Sequence, residues 1–279
     1  MSSPRHSESS PHLPADADVD KISALATLLV AARNNAEAIA SVPDELVPND
    51  AVEAQLVDDH VAAISGWPVL GWKIGATSQA AQKALGASGP FAGRVYSILD
   101  NGADISSAGV LGEPRIEGEF AFTLAEDLNF SESGSSDAPD RAAVVAAIAN
   151  TRPAIEVVGG RYADMFGMPL VCLMADAGAN GLLVLGDPVD DVDLSTLPEA
   201  AATMSVDGEI LGIGVGADVY GDPVEALVWL VGHLAERGVS LKAGQVVTTG
   251  TATQILALPA GATAVATLTG IGTVSTSRG

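Results

Sequence analysis

The chain has 279 residues, with 13 Lys and Arg against 35 Asp and Glu, so its formal net charge is −22. A surface this acidic repels phosphate backbones and anionic lipid, which argues against nucleic-acid and membrane partners. Hydrophobic residues make up 48% of the chain, enough for a sizeable core, and the single Cys172 excludes an internal disulfide and a cysteine-clustered metal site.

The first 19 residues are rich in Ser, Pro and Asp and contain no apolar stretch. This composition predicts a disordered leader, residues 1–19, and lacks the apolar region that a secretory signal needs. A chain with one cysteine and no such signal fits a reducing compartment, so we expect a cytoplasmic protein.

Residues 20–65 are predicted to form an N-terminal helical subdomain. Apolar residues recur at spacings of three and four after Asp20, which is available as the N-cap of a first helix. A second helix is predicted from Asp50 through Ile64, after a connection that contains Pro43 and Pro48.

Residues 66–279 consist mainly of short β-branched runs separated by glycine-rich turns, which predict strands. Helices are predicted near residues 78–85, 140–150 and 223–236, and His233 on the last of them is expected to be structural. Because strands outnumber helices and do not alternate strictly with them, the pattern favours a mixed, mostly antiparallel α+β fold. The uncharged stretch 245–277 is long enough to span a membrane, but its period-two alternation predicts strands.

Three glutamates are candidate metal ligands. Glu117 and Glu119 lie two apart in the apolar run PRIEGEFAF, so in a strand they share a face while Phe120 and Phe122 point the other way. Two like charges in a buried place are costly unless one is protonated or a cation lies between them. Glu156 lies within another apolar run, and three Glu without Cys or a local His suit Mg²⁺ or Mn²⁺.

These residues also have simpler interpretations. Glu117 and Glu119 could face solvent on an edge strand, and Glu156 could be the outward residue of an alternating strand. Lys73 is the single charge in the apolar run VLGWKIGAT. Such a lysine either pairs with carboxylates, acts in catalysis through a shifted pKa, or protects an edge strand from aggregation.

Four blocks, GWKIGATSQAAQKALG, PRIEGEFAF, PAIEVVGGRY and DAGANGLLVLG, resemble in order and spacing the fumarylacetoacetate hydrolase superfamily, in its branch of 2-oxopent-4-enoate hydratases and 4-oxalocrotonate decarboxylases. The resemblance covers roughly residues 21–279. It implies a catalytic β-roll domain over residues 66–279, a helical N-terminal part, and assembly into homo-oligomers. It also implies that Glu117, Glu119 and Glu156 hold Mg²⁺ or Mn²⁺ and that Lys73 belongs to the active site.

The activity implied by the resemblance is a metal-dependent lyase that adds water to a 2-hydroxy-2,4-dienoate during the catabolism of aromatic compounds. A 2-oxo acid would chelate the cation, which then acts as a Lewis acid. Decarboxylation of a 2-oxo-3-enedioate and C–C hydrolysis of an acylpyruvate are the alternative reactions. The alternative without catalysis is a 2-oxo-acid-binding partner subunit of a hydratase or decarboxylase complex.

Further site residues follow from the same resemblance, with two departures from the family pattern. Asp176 of DAGANG is expected to be catalytic, and Thr251 of TGT to contact substrate at the edge of the pocket. Phe91 stands where family hydratases carry the Asp of a P-D-F-G turn, and an aromatic ring cannot move a proton. Asn180 replaces a small hydroxyl residue, so we expect changed substrate contacts at Phe91 and Asn180. The acids that could replace the missing Asp lie on the second predicted helix: Glu53, Asp58, Asp59 or His60.

Overall fold

The computed structural model describes residues 17–129 and 139–279, so the predicted disordered leader lies outside the described residues except for its last three positions. The helices are α1 (Val19–Asn35), α2 (Ala51–Ser65), α3 (Gln79–Leu85), α4 (Arg141–Ala146), α5 (Leu170–Ala175) and α6 (Pro223–Glu236). The strands are β1 (Gly71–Gly75), β2 (Phe91–Val95), β3 (Ile98–Asp100), β4 (Arg115–Leu124), β5 (Ile148–Val158), β6 (Asn180–Leu185), β7 (Ala201–Val206), β8 (Glu209–Val215), β9 (Val246–Thr251), β10 (Leu256–Ala257), β11 (Thr263–Leu268) and β12 (Gly272–Ser277). Over these residues no helix has both the length and the hydropathy to cross a membrane.

Side-chain caps set where the helices begin. Asp50 caps α2 as expected, and Ser78 caps α3. The expected cap Asp20 is wrong: Asp18 accepts the backbone N–H of Lys21 at 3.1 Å, so α1 begins one residue before Asp20. Asp20 lies in the first turn instead, where its negative charge interacts favourably with the helix dipole.

The structure shortens one predicted helix and adds one that was not predicted. The helix predicted over residues 140–150 ends at Ala146, and β5 begins at Ile148, because the β-branched residues there pair with β4. Helix α5 was not predicted because its sequence LVCLMA is a short apolar run that also suits a buried strand.

The strands form a larger mixed sheet with the order β2-β1-β9-β4-β5-β6-β3, to which β10 adds against β4, and a smaller antiparallel sheet with the order β12-β11-β7-β8. In the larger sheet β1 pairs with β9, and β3 with β6, in parallel; the other pairs are antiparallel. The prediction of a mixed, mostly antiparallel arrangement agrees with these pairings. The uncharged stretch 245–277 forms β9 to β12, as predicted.

The larger sheet carries different cores on its two faces. Trp72, Ile74, Phe120 and Phe122 point towards α6 and form one core with its apolar residues. Residues of α1 and α2 share a second core with residues of the body that include Phe91. A third core fills the space between the two sheets, where β4 and β5 meet β11. Because successive residues of a strand face opposite ways, Lys73 and Glu119 lie on the face opposite to Trp72 and Phe120.

A side chain binds the backbone of one residue at the outer edge of β8. Ile213 donates its backbone N–H to Gln254 Oε1 at 2.9 Å, and Gln254 Nε2 donates to the Ile213 carbonyl at 2.7 Å. Strand β8 lies at the end of the smaller sheet, and its Ile210, Leu211 and Ile213 side chains are exposed. The amide of Gln254 therefore occupies the backbone groups of Ile213, which a neighbouring strand would otherwise use.

His233 joins α6 to α2, as expected of a structural residue. Its Nε2 lies 2.8 Å from Gln55 Oε1, and its ring stacks on Trp229 with 5.0 Å between ring centres. Burial, and then the charge of Arg237, lower the pKa of His233 to about 4. The neutral imidazole is therefore the form that the folded chain holds at neutral pH.

We predict that His233 makes the fold sensitive to mild acid. Because its pKa is depressed on folding, its contribution to stability is fully present above the ordinary value of about 6.5 and is lost as pH falls from there towards about 4. Between pH 7 and pH 5 the loss amounts to about 2 kcal/mol. His233→Gln keeps a donor for Gln55 but does not titrate, so its free energy of unfolding should fall less over that range. If the free energy of unfolding fell equally with pH in the two proteins, His233 would not be the source of the acid sensitivity.

Candidate metal centre and active site

The pairing of β4 with β5 brings the three predicted glutamates together. Glu117 lies directly opposite Glu156 in the antiparallel register, and Glu119 is the next residue of β4 on the same face. One carboxylate oxygen from each of the three lies within 4.8 Å of the others. Glu119 and Glu156 are fully buried and Glu117 is half-buried, since β4 runs between β5 and β9. The solvent-facing alternative is therefore wrong.

This cluster fits a divalent cation. Burial, and then the charge of Glu156, raise the pKa of Glu117 to about 7 and that of Glu119 well above its ordinary value. Glu119 Oε1 and Glu156 Oε2 are buried and accept no hydrogen bond in the described part of the chain. Unpartnered carboxylate oxygens that converge without Cys or His form a donor set for a hard cation such as Mg²⁺, Mn²⁺ or Ca²⁺.

A β-bulge in β9 holds Glu119. Glu119 pairs with Thr251 and Ala121 pairs with Thr248, so β9 has one more residue than β4 between these pairs. Gly250 in the bulge has φ 95° and donates its backbone N–H to Glu119 Oε2 at 3.0 Å. A Cβ at position 250 would also collide with the side chain of Thr77. The bulge therefore requires glycine and leaves Glu119 Oε1 free for a ligand.

Lys73 lies against the glutamates and is not an edge-strand residue, because β1 runs between β2 and β9. Its Nζ is 3.3 Å from Glu156 Oε1 and 5.5 Å from the centre of the Phe91 ring. Burial alone lowers the pKa of Lys73, but the carboxylates of Glu156, Glu117 and Glu119 raise it above its ordinary value. The side chain is therefore a buried ammonium that offsets part of the negative charge of the cluster.

Asn180 and Thr251 lie close to the glutamates but make contacts within the protein. Asn180 Nδ2 donates to Glu156 Oε1 at 2.8 Å, so this oxygen accepts from Asn180 and faces Lys73 while Oε2 remains unpartnered. Thr251 pairs with Glu119 in the sheet, and its hydroxyl donates to the Thr253 carbonyl at 2.9 Å. The structure thus gives Asn180 a contact with a glutamate that the sequence did not predict.

Asp176 forms a buried ion pair with Arg161. Arg161 donates its backbone N–H to Asp176 Oδ2 at 2.7 Å and its Nε to Oδ1 at 2.5 Å, so both carboxylate oxygens are occupied. Burial raises the pKa of Asp176, and Arg161 and then Arg33 oppose part of that rise. Arg161 also binds the Asn180 carbonyl at 3.0 Å. These contacts connect Asp176 to the residue that touches Glu156 and favour a positioning role for it.

Between Asp176 and Asn180 the chain makes a buried left-handed turn. Ala177, Gly178 and Ala179 have φ values of 51°, 64° and 60°. A left-handed conformation costs an alanine roughly 1–2 kcal/mol, so surrounding contacts must maintain it. The backbone of this turn packs where a side chain of Gly93 would lie. A Cβ at Gly178 would lie 2.9 Å from Lys73 Cε, so the turn packs directly against the Lys73 side chain.

The acids proposed to replace the missing Asp have other partners. Asp58 and Asp59 form ion pairs with Arg94 at 2.5 and 2.7 Å, and Asp59 also pairs with Arg237, not with the adjacent His60. Burial raises the pKa of Asp58 to about 6. For Asp59, burial is outweighed by Arg94 and Arg237, which lower its pKa.

These carboxylates also lie on the wrong side of the sheet. Arg94 pairs with Trp72 across β1 and β2 and stacks on its ring at 4.6 Å, whereas Lys73 pairs with Gly93 and faces the other way. Glu53 pairs with Lys21 at 3.0 Å near the start of α2. These contacts do not support Glu53, Asp58 or Asp59 as the replacement for the missing Asp, and His60 stays a prediction.

We predict that Gly178→Ala destabilises the chain by more than the backbone strain that alanine adds at a positive φ. The new Cβ would lie 2.9 Å from Lys73 Cε and from an edge carbon of Phe91. Gly208→Ala is the matched control, because Gly208 also has positive φ but a methyl group added there would have nothing within 4 Å. Overpacking should add about 1–3 kcal/mol to the loss for Gly178→Ala, measured by denaturant unfolding. Equal losses for the two variants would mean that the turn does not support Lys73.

Known proteins share the sequence pattern of this chain. A family model described as fumarylacetoacetate (FAA) hydrolase C-terminal matches residues 59–277. The 2-keto-4-pentenoate hydratase of Paraburkholderia phymatum is 32% identical over 267 residues, covering 93% of this chain and 98% of that one. The 2-hydroxyhexa-2,4-dienoate hydratase of Comamonas testosteroni is 32% identical over 254 residues, covering 88% and 93%.

A solved structure is similar over nearly the whole chain. The 4-oxalocrotonate decarboxylase from Pseudomonas putida G7, complexed with magnesium and adipate, has a TM-score of 0.81 at 25% sequence identity and covers 96% of this chain and 99% of that one. The same enzyme complexed with calcium and acetate has a TM-score of 0.78. The family match spans most of the chain and includes all three glutamates and Lys73. The chain therefore belongs to the fumarylacetoacetate hydrolase family, with the curled mixed sheet of its C-terminal domain.

Proposed function

We propose that this chain is a divalent-cation-dependent lyase that hydrates a 2-hydroxy-2,4-dienoate in the catabolism of aromatic compounds. One observation carries the proposal: three convergent glutamates with two unpartnered buried oxygens lie against Lys73, in a chain 32% identical to hydratases of such dienoates. Its intact polar cluster argues against a subunit that only binds a 2-oxo acid.

Glu117, Glu119 and Glu156 would hold Mg²⁺, or Mn²⁺ in its place. The three side chains offer oxygen ligands alone, which is the preference of these ions, and a relative in fold was solved with magnesium. A cation held there supplies a Lewis acid that stabilises negative charge on the oxygen of a 2-oxo acid. Asn180, through its bond to Glu156, orients one of the ligands.

Lys73 is the proposed catalytic residue. Its ammonium lies 3.3 Å from Glu156, where it attracts the substrate carboxylate and can donate a proton to, or regain it from, the dienol. Moving the enol proton to C5 gives a 2-oxo-3-enoate, and water then adds at C4 with a proton returned to C3. Phe91 shields one side of Lys73 from solvent. Asp176 acts through Arg161 as a positioning residue, and Thr251 borders the substrate.

Decarboxylation of a 2-oxo-3-enedioate is the second candidate. It is favoured by the likeness to 4-oxalocrotonate decarboxylase and by Phe91, which, on the family resemblance, stands where hydratases carry an aspartate. Loss of CO₂ uses the same stabilised enolate but needs no residue to activate water. Assay of released CO₂ from a 2-oxo-3-enedioate separates this reaction from hydration. Pyruvate release would identify the third reaction, C–C hydrolysis of an acylpyruvate.

The enzyme is organised around one catalytic domain. We assign residues 20–65 as a helical subdomain and residues 66–279 as the catalytic domain, following a leader over residues 1–19. The acidic protein would act in the cytoplasm as a homo-oligomer, alone or with a hydratase or decarboxylase chain.

We predict that Mg²⁺ binding depends on Glu119. Glu119→Gln replaces an anionic ligand that a backbone N–H already fixes in place, so Mg²⁺ affinity in the presence of oxalate should fall by at least about 100-fold. Calorimetric titration measures this directly. The control is Glu126→Gln, which makes the same chemical change at an exposed position and should bind as the wild type does. Equal affinity for Glu119→Gln and the wild type would exclude a metal ion at this site.

We predict that Lys73→Met removes catalysis but leaves Mg²⁺ bound. Loss of a positioned proton donor lowers kcat by about 10²–10⁴-fold. The affinity for Mg²⁺ should be unchanged or higher, because the cation no longer competes with an ammonium for Glu156. The rate is followed as loss of the dienol absorbance of 2-hydroxypenta-2,4-dienoate with Mg²⁺ present.

The control is Lys242→Met. Lys242 is exposed and pairs with Asp127, not with the glutamates of the site. This variant should keep the wild-type rate. If the wild-type protein consumed the dienol no faster than it ketonises spontaneously, hydration would be excluded. If Lys73→Met kept the full rate, Lys73 would have no part in the chemistry.

A further inference from the structure

A polar groove lies next to the proposed site. It has a volume of about 630 Å³ and runs between the start of α3 and the turn that follows β8. Its walls include Thr77, Ser78 and Gln82 on one side and Asp218 and Tyr220 on the other. A space of this size can accept several carbon atoms of a small molecule.

The groove adjoins the site at two points. Thr77 in its wall fills the space beside Gly250, whose N–H binds Glu119. Pro90, also in its wall, directly precedes Phe91, whose ring faces Lys73. The wall of the groove and the surroundings of the glutamates therefore share Thr77 and residues 90–91.

The charge that lines the groove is negative only. Its wall residues are hydroxyl, amide and small side chains, and among the described residues that line it Asp218 carries the one charge. Asp218 Oδ2 accepts the backbone N–H of Val215 at 2.9 Å, which holds the carboxylate at the rim. A second carboxylate placed here would meet a fixed negative charge and no lysine or arginine from the described wall. Selection of this kind works by repelling the wrong ligand.

We infer that this groove receives the end of the substrate remote from the 2-oxo acid, and that Asp218 makes the chain selective for monocarboxylic over dicarboxylic substrates. The inference rests on the proposed function, which it narrows to dienoates with an uncharged tail. The same selection disfavours the 2-oxo-3-enedioate of the decarboxylase alternative. Asp218 acts as a specificity residue and takes no part in the reaction.

The test compares two ligands that differ only at the remote end. Calorimetry with Mg²⁺ measures the Kd of 2-oxohexanoate and of 2-oxoadipate, which have the same chain length and the same chelating end. The wild-type protein should bind 2-oxohexanoate about tenfold more tightly. Asp218→Asn keeps an oxygen acceptor for Val215 but removes the charge, so the ratio of the two constants should fall about threefold or more.

The control is Glu209→Gln, which removes the same charge at the other end of β8, away from the groove. It should leave the ratio at its wild-type value. A ratio near one in the wild type, or an unchanged ratio in Asp218→Asn, overturns the inference.

Hydration of 2-hydroxypenta-2,4-dienoate is assayed on the same preparations. Hydration together with a ratio near one would overturn the selectivity and leave the proposed function intact. A clear ratio that falls in Asp218→Asn, without any hydration, would support the groove's selectivity and overturn the proposed function.

Discussion

The mutual repulsion of three largely buried carboxylates, with one oxygen of each within 4.8 Å of the others, is the constraint that organises this molecule. Each neighbouring element compensates part of it: β1 contributes the Lys73 ammonium, β6 the Asn180 amide, and the bulge in β9 the N–H of Gly250. These contributions leave two carboxylate oxygens without partners in the described part of the chain. Buried carboxylates that the protein itself does not neutralise are relieved either by protonation or by a bound cation, and a bound cation would connect this fold to the chemistry of a 2-oxo acid.

Local sequence patterns are enough to predict much of this arrangement. The two-residue spacing of Glu117 and Glu119 among apolar residues predicts a shared buried face, because strand alternation is a local property. For the same reason the uncharged stretch near the C-terminus is correctly predicted as strands. The boundaries of α1 and α4 are predicted less accurately, since the choice of cap and the start of the next strand depend on contacts with other elements.

Features that depend on distant partners cannot be predicted in this way. Nothing in the sequence near Asp176 shows that Arg161 occupies both its oxygens, and nothing near Asp58 and Asp59 shows that Arg94 holds them on the far side of the sheet. The left-handed backbone at residues 177–179 has no local signal at its two alanines either, because alanine does not favour it. The roles of the glycine in TTGT and of the arginine in GGRY likewise depend on register and topology.

The amide of Gln254 has a second effect besides occupying the Ile213 backbone at the edge of β8. Gln254 follows Thr251 by three residues, so the loop that leaves the bulge is tied at its far end to the smaller sheet. A device that discourages intermolecular strand pairing thus also acts as a tether for the backbone beside Glu119. Replacing Gln254 would therefore change two features at once, the exposed edge of β8 and the attachment of the loop beside Glu119.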